Sequence, residues 1–340
     1  MAIASRKIVI LLQVISVMSL DIWLSQAFQG LGDRFIPLMS FFTWLGYPQA
    51  YMIAMAIIYW SIDRQLGLRV AIFLPLVASL NSMMKQAFHA PRPYWVDPGI
   101  RAIRVSNGFG MPSGHAQAST VWLYAALHIK KTGFWIIAIV FAVMIGLSRV
   151  YLGVHFSTQV LTGWLTGIVF LFLFARYEST FLSWFLGRAY SVQLLLIGAT
   201  SLGILLLGAL ILYLTRSWEI PVEWIINATD DLAAGGESIL TSRGLGAVAG
   251  NSGGFLGVAL GALFAHRRGG FDPGRPWIRV LRSVTGLVLL AALYLLFTLI
   301  SPDPGKEVLA ALWQFGGFSV IALFVIYLFP LLFDKCRRSS

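Results

Sequence analysis

Ten apolar stretches, at roughly 8–28, 36–62, 67–87, 115–130, 133–150, 157–177, 189–214, 246–266, 282–300 and 308–333, take up most of this chain. Several reach the ~20 residues that cross a bilayer as a helix. Of the 340 residues 58% are hydrophobic and 11% charged. Soluble domains carry about 25% charged residues, so there is too little polar surface here to cover a globule. An all-α, polytopic membrane protein is expected.

The loops set its orientation. Arg6-Lys7, Asp63-Arg64 with Arg69, Lys130-Lys131, Arg176 with Arg188, the run from His266 to Arg282 and Lys335 to Arg338 fall on one side if all ten stretches cross. The positive-inside rule makes that side cytoplasmic, with both termini. The net charge of +11 is then loop charge and not a nucleic-acid footprint. Residues 1–30 show no small-residue cleavage site after a short apolar core, so they read as a retained helix. Asp21 interrupts that first stretch, which could instead lie along the interface. The single cysteine, Cys336, excludes an intramolecular disulfide and a Cys-rich metal site.

Three segments share the opposite face: 88–114, 149–156 and 215–245. The last, RSWEIPVEWIINATDDLAAGGES, gathers Trp218, Trp224, Ile225 and Ile226 and reads as an amphipathic surface helix. The Gly-rich run 244–264 suits close helix packing, with a broken helix as the other reading. The basic loop 268–277 contains an Arg-Pro pair but reads as plain cytoplasmic charge.

The chemistry gathers in the first two outer segments. GMPSGHAQAS, Gly110 to Ser119, places Pro112, Ser113, Gly114 and His115 at the first turn of an apolar helix. A helix N-terminus offers unpaired N–H groups and partial positive charge, so it attracts anions. Gly114 admits close backbone approach, Ser113 adds a hydroxyl, and His115 could move a proton beside a bound anion. Alone, this is equally a helix cap with an interfacial histidine. In KQAFHAPRP, however, Lys85 precedes Arg92-Pro93, and in SRVYLGVH, Arg149 precedes His155. Singly, Lys85 or Arg149 could snorkel to headgroups. Together, three cations and two histidines from three parts of the chain meet on one face, where such residues mark function.

The order Lys-x6-Arg-Pro, Pro-Ser-Gly-His, Ser-Arg-x5-His resembles the type 2 phosphatidic acid phosphatase (PAP2) superfamily. That family includes membrane lipid phosphatases, glucose-6-phosphatase, and soluble acid phosphatases related to vanadium haloperoxidases. The resemblance carries Lys85, Arg92 and Pro93, then Pro112, Ser113, Gly114 and His115, then Ser148, Arg149 and His155. It covers about residues 1–180 and implies a six-helix catalytic membrane domain there. Residues 181–340 are then a region of unknown role with about four additional transmembrane helices. The resemblance implies that Lys85, Arg92, Ser113, Gly114 and Arg149 bind phosphate. It makes His155 the nucleophile and His115 the acid that serves the leaving oxygen, then activates water. No metal or other cofactor is implied, and the carboxylate clusters that hold paired divalent ions elsewhere are missing.

The family usually carries Asp four residues after the nucleophilic histidine, where HFSTQ has Gln159. That spacing keeps both on one helical face, so the amide oxygen can still orient the ring, without a negative charge. Glucose-6-phosphatases resemble this chain here, and the RPYW stretch, Arg92 to Trp95, points the same way. Tyr94, Trp95, Phe109 and Tyr151 flank the site, either against an amphiphile or as interfacial anchors. The expected activity is metal-independent hydrolysis of a lipid phosphomonoester or pyrophosphate. The expected place is a multi-pass protein of a bacterial inner membrane, with the site facing the periplasm. The expected partners are a phosphorylated lipid and membrane lipids, with no nucleic acid and a homodimer left open. The alternatives are a sugar-phosphate phosphatase, a lipid phosphotransferase, an inactive scaffold, and a transporter of phosphorylated solutes. The last is disfavoured because these cations sit at span ends and residues 190–340 do not visibly repeat the first half.

Overall fold

The computed structural model describes residues 18–339 apart from 105, 107, 229–241, 272–273 and 303–305. Residues 1–17, with Arg6-Lys7 and the start of the first stretch, lie outside it. The described residues form helices and loops, with no strand among them. In chain order the helices are α1 (18–29), α2 (Ile36–Leu45), α3 (Pro48–Ile57), α4 (Arg64–Phe88), α5 (Pro93–Val96), α6 (Gly114–Ile129), α7 (Thr132–Tyr151) and α8 (Ser157–Leu186). There follow α9 (Tyr190–Leu214), α10 (Val222–Asn227), α11 (Gly246–Arg267), α12 (Pro276–Leu299), α13 (Glu307–Leu323) and α14 (Phe329–Ser339). Two π turns interrupt the pattern: Ile58–Ile62 extends α3, and Phe324–Leu328 joins α13 to α14.

Seven of these helices are long and apolar enough to cross a membrane. The pair Asp33–Leu45 and Pro48–Ile62 would make an eighth, bent by 60°. The fold is all-α and polytopic, a six-helix core followed by four further helical crossings. α6, at 16 residues, is short for a span because its first turn is given to the PSGH loop. The stretch 36–62, expected to be one helix, breaks at Gly46-Tyr47-Pro48, where Pro cannot continue the hydrogen-bond ladder. Asp21 of α1 is 4% exposed. Its buried carboxylate accepts from the hydroxyls of Ser157 and Thr158 and from the Thr158 N–H at 3.1 Å. It caps α8 as an anion at a positive helix end.

The ends of α4, α6 and α8 far from His89 are tied through Glu178 of α8. Its carboxylate accepts from the Tyr124 hydroxyl, meets His128 Nε2 at 3.0 Å and faces Arg69 Nε at 3.7 Å. An intramembrane carboxylate with three such partners holds α4, α6 and α8 in register.

The Gly-rich stretch forms the unbroken helix α11. A Cβ at Gly253 would run into the Phe315 carbonyl, and one at Gly257 into that of Ser319, so these glycines let α11 and α13 meet backbone to backbone. One aromatic core spans both parts of the chain, from Tyr59, Trp60 and Phe73 to Phe297, Val325 and Phe329. Within it the Tyr59 hydroxyl donates to Ile326 O at 2.8 Å and Trp60 Nε1 to Val325 O at 2.9 Å. Both acceptors belong to the second π turn, where the widened ladder leaves carbonyls to spare. Arg282, expected in a cytoplasmic loop, is instead fully buried in α12, where it donates to Trp60 O and pairs with Asp334. A cavity of about 160 Å³ beside Asp334 and Phe271 sits at that end, opposite the candidate site.

Candidate active site

Four helix ends converge on one face of the bundle. α4 brings Lys85 in its last turn, the loop before α6 brings Ser113, α7 brings Arg149 in its last turn, and His155 lies just before α8. Arg92 follows α4, which ends at His89 in a left-handed conformation (φ 49°). The chain thereby leaves the helix axis and carries Arg92 back over the bundle. Arg92, Arg149 and His155 are all 1% exposed or less.

Arg92 is held by backbone. Its Nε donates to Gly108 O at 2.7 Å, Nη1 to Val154 O at 2.8 Å and Nη2 to Phe109 O at 3.4 Å. Nη1 also stands 3.3 Å from His155 Nε2. Lys85 Nζ donates to the same Phe109 carbonyl. Arg149 donates to the hydroxyls of Thr43 and Ser106, the latter at 3.0 Å. The charges of Lys85, Arg92 and Arg149 all reach both His115 and His155. Arg101 stays out of this group and pairs on the surface with Asp33.

The tautomer of His155 follows from its neighbours. Gln159 Nε2 donates to Pro91 O at 2.7 Å, and a carbonyl can only accept, so the amide orientation is set. Gln159 Oε1 then accepts from the Phe156 N–H at 3.2 Å and faces His155 Nδ1 at 3.1 Å. Nδ1 therefore carries the proton, and Nε2 presents its lone pair beside Arg92. Burial first, then the charges of Arg92, Lys85 and Arg149, push His155 well below the ordinary imidazole range. The ring is neutral at neutral pH.

The PSGH turn meets it from the other side. Ser113 N–H donates to Gln159 O at 2.9 Å, tying the start of α6 to that of α8. Ser113 Oγ, His115 Nε2 and Arg149 Nε are buried without a hydrogen-bond partner in the protein. Buried donors and acceptors are costly when unpaired, so three at one site mark a place shaped for a polar ligand. A Cβ at Gly114 would come within 2.9 Å of Asn81 Oδ1, and one at Gly46 within 2.5 Å of His115 Cδ2. The first is a squeeze on a side-chain oxygen, while the second would push His115 itself.

All the expected site residues thus come together except Ser148, whose hydroxyl bonds back to Ile145 O within α7. Sequence reasoning missed Thr43, Gly46 and Tyr47 beside His115 and Arg149, although Gly-Tyr-Pro inside an apolar stretch is a breaker signal. It also missed Asn81, whose amide donates to Gln117 Oε1 at 2.7 Å and Pro112 O at 3.2 Å, a polar residue deep in a span. Tyr94, Trp95, Phe109 and Tyr151 are neither interfacial anchors nor an open wall. They are buried together as a small core under the outer loops. Trp218 and Trp224 pack against them, so these two rings of the segment after α9 face inward and not a membrane surface, and the described helix there, α10, has six residues. The part of that segment at 229–241 lies outside the described residues.

Residues 65–183 match the PAP2 superfamily, and residues 249–340 match the transmembrane extension of PAP2 superfamily phosphatases. An undecaprenyl-diphosphatase of Sulfolobus acidocaldarius is 31% identical over 34% of this chain and 57% of its own length. Sphingosine-1-phosphate phosphatase 2 of Mus musculus is 29% identical over 40% of each chain. Glucose-6-phosphatase 3 of Bos taurus is 25% identical over 64% of this chain and 68% of its own length. The chain thus spans about half the length of the first two. The first match takes in every cation and histidine of the site and the second takes in the last helices, so the chain carries a PAP2 superfamily domain followed by the transmembrane extension of that superfamily's phosphatases.

Proposed function

We propose that this membrane protein hydrolyses a phosphomonoester or pyrophosphate, most fittingly of a lipid, through a phosphohistidine at His155 and without a metal. The observation that carries the reading is the His155 ring: proton on Nδ1 toward Gln159, lone pair on Nε2 beside Arg92. Phosphate oxygens held by Lys85, Arg92 and Arg149 would place phosphorus in front of Nε2. Attack forms the N–P bond and breaks the ester P–O bond, and His115 gives the departing oxygen a proton. The same ring then takes a proton from water, whose oxygen attacks phosphorus, releases phosphate and frees His155. Ser113 Oγ and the Gly114 N–H donate to the charge that grows on the equatorial oxygens.

A lipid substrate suits a site at the ends of membrane helices, where a headgroup phosphate lies. Two relatives are also named for a lipid diphosphate and a sphingoid phosphate. The basic loops at the opposite helix ends support a site that faces outward, in our reading the periplasmic side of a bacterial inner membrane. A sugar phosphate is the second reading, favoured by the long match to glucose-6-phosphatase 3. The test is phosphate release by the purified protein in excess chelator. The panel is phosphatidate, phosphatidylglycerol phosphate, a sphingoid base phosphate, a polyprenyl pyrophosphate and glucose 6-phosphate. Inhibition by vanadate and an acid-labile phosphoenzyme missing from His155→Ala are expected. Activity that dies with chelator and returns with magnesium, or a His155→Ala protein that turns over, would overturn it.

A further inference from the structure

Two of the three phosphate-holding cations are aimed by one stretch of loop. Phe109 O accepts from Lys85 and Arg92, and Gly108 O from Arg92. This loop has no helical ladder to hold those carbonyls. The peptide that carries the Phe109 carbonyl is tied by the Gly110 N–H to Ala90 O at 2.8 Å, and its side is fixed by the Phe109 ring, which is 0% exposed. Edge-on around that ring stand His89 at 5.0 Å, Trp218 at 5.5 Å and Trp95 at 6.3 Å. Trp218 also stacks on His89, with centroids 4.3 Å apart and planes at 22°.

Trp218 belongs to the segment after α9, outside the part of the chain that carries the motifs. That segment is pinned in place. Arg243 donates to the carbonyls of Leu212, Thr215 and Trp218, and Asn227 Nδ2 donates to Trp95 O at 2.9 Å. Trp224 backs both Trp95 and Trp218 at 6.1 Å. A rigid ring wedged between His89 and Phe109 can fix the height of the Phe109 carbonyl as packed aromatics do.

We propose that Trp218 is a positioning residue for the phosphate site, acting through the Phe109 ring on the carbonyls that aim Lys85 and Arg92. The inference rests on Lys85 and Arg92 being phosphate ligands. Misaimed cations weaken the grip on a phosphate oxygen in substrate, product and transition state alike, so KM and the inhibition constants should rise together while kcat changes less. A tryptophan that merely covers the site would change stability and leave that pattern out.

The experiment measures KM, kcat and the inhibition constants of inorganic phosphate and vanadate, with vanadate binding to the purified protein followed by calorimetry. Trp218→Ala should raise KM and both constants by about tenfold, equivalent to about 1.4 kcal/mol. Trp218→Phe should restore them to within about twofold, and Trp277→Ala, on an exposed side chain of α12, should match the wild type. If Trp218→Ala does not elute as a folded protein, Trp218→Leu is read the same way, since it keeps apolar cover without an aromatic face. Unchanged vanadate affinity in a folded Trp218 variant, or a fall in kcat alone, overturns the inference while leaving the phosphatase reading intact. A wild type that neither hydrolyses the panel nor binds vanadate overturns both.

Discussion

A glutamine in place of an aspartate changes how His155 is held rather than whether it is held. The Pro91 carbonyl fixes the Gln159 amide, and the amide oxygen fixes the ring. Gln159→Leu removes that acceptor and should lower kcat by roughly a hundredfold in a folded protein, the scale of losing a positioned partner in proton transfer. Full activity in that variant would mean another group orients the ring. The pH profile gives a second check. His155 must be neutral to attack, and burial and three cations hold it well below the ordinary imidazole range, so the acid limb of kcat/KM should lie below about pH 6.5. Gln159→Glu sets a carboxylate against Nδ1 and stabilises the imidazolium, so that limb should move to higher pH. A limb that stays in place, or moves down, would contradict the contact. At this scale the sequence named the pair, but they do not share a helical face: His155 lies before α8, and Gln159 reaches back to it from the helix's first turn. What the sequence hid were Thr43 and Tyr47, residues with no chemistry of their own until a bend brings them beside Arg149 and His115.

Helices carry the next part of the argument, above all where they begin. Asp21 lies far from the motifs in sequence, yet its carboxylate takes three hydrogen bonds at the start of α8, two residues beyond His155. Asp21→Ala should cost about 1–2 kcal/mol, the range for losing a helix cap, seen as a lower melting temperature in detergent. Asp21→Asn, which keeps one acceptor oxygen and no charge, should recover part of it. Equal melting of Asp21→Ala and the wild type would show that solvent or lipid caps α8 as well. In the sequence Asp21 read only as a flaw in an apolar stretch, since a cap supplied from another helix leaves no local pattern. The glycines of α11 were legible for the opposite reason: their effect, close packing, depends on what they lack. The bend in 36–62 was marked by Gly46 and Pro48, but high overall hydropathy outweighed a two-residue signal.

For the molecule as a whole, loop charge predicts which face lies outside. In a Cys336→Ala background, a cysteine at Ser106 should react with an impermeant thiol reagent on intact cells. One at Lys131 should react only after the membrane is opened. The reverse pattern would turn the site to the cytoplasm. The order of the helices was legible from hydropathy, although among the described residues only seven of the ten stretches, or eight with the bent pair, are long and apolar enough to cross. The shared core was not legible, because apolar side chains facing lipid and those facing protein look alike in sequence. That core joins the two parts of the chain with more than contact: Tyr59 and Trp60 each send a buried hydrogen bond into the turn between α13 and α14. A transporter works by rocking one bundle against another, and here the hinge line would have to tear those bonds inside lipid. Among the described residues those bonds rivet the two parts of the chain together, a joint that suits the proposed work at one fixed face better than passage between two.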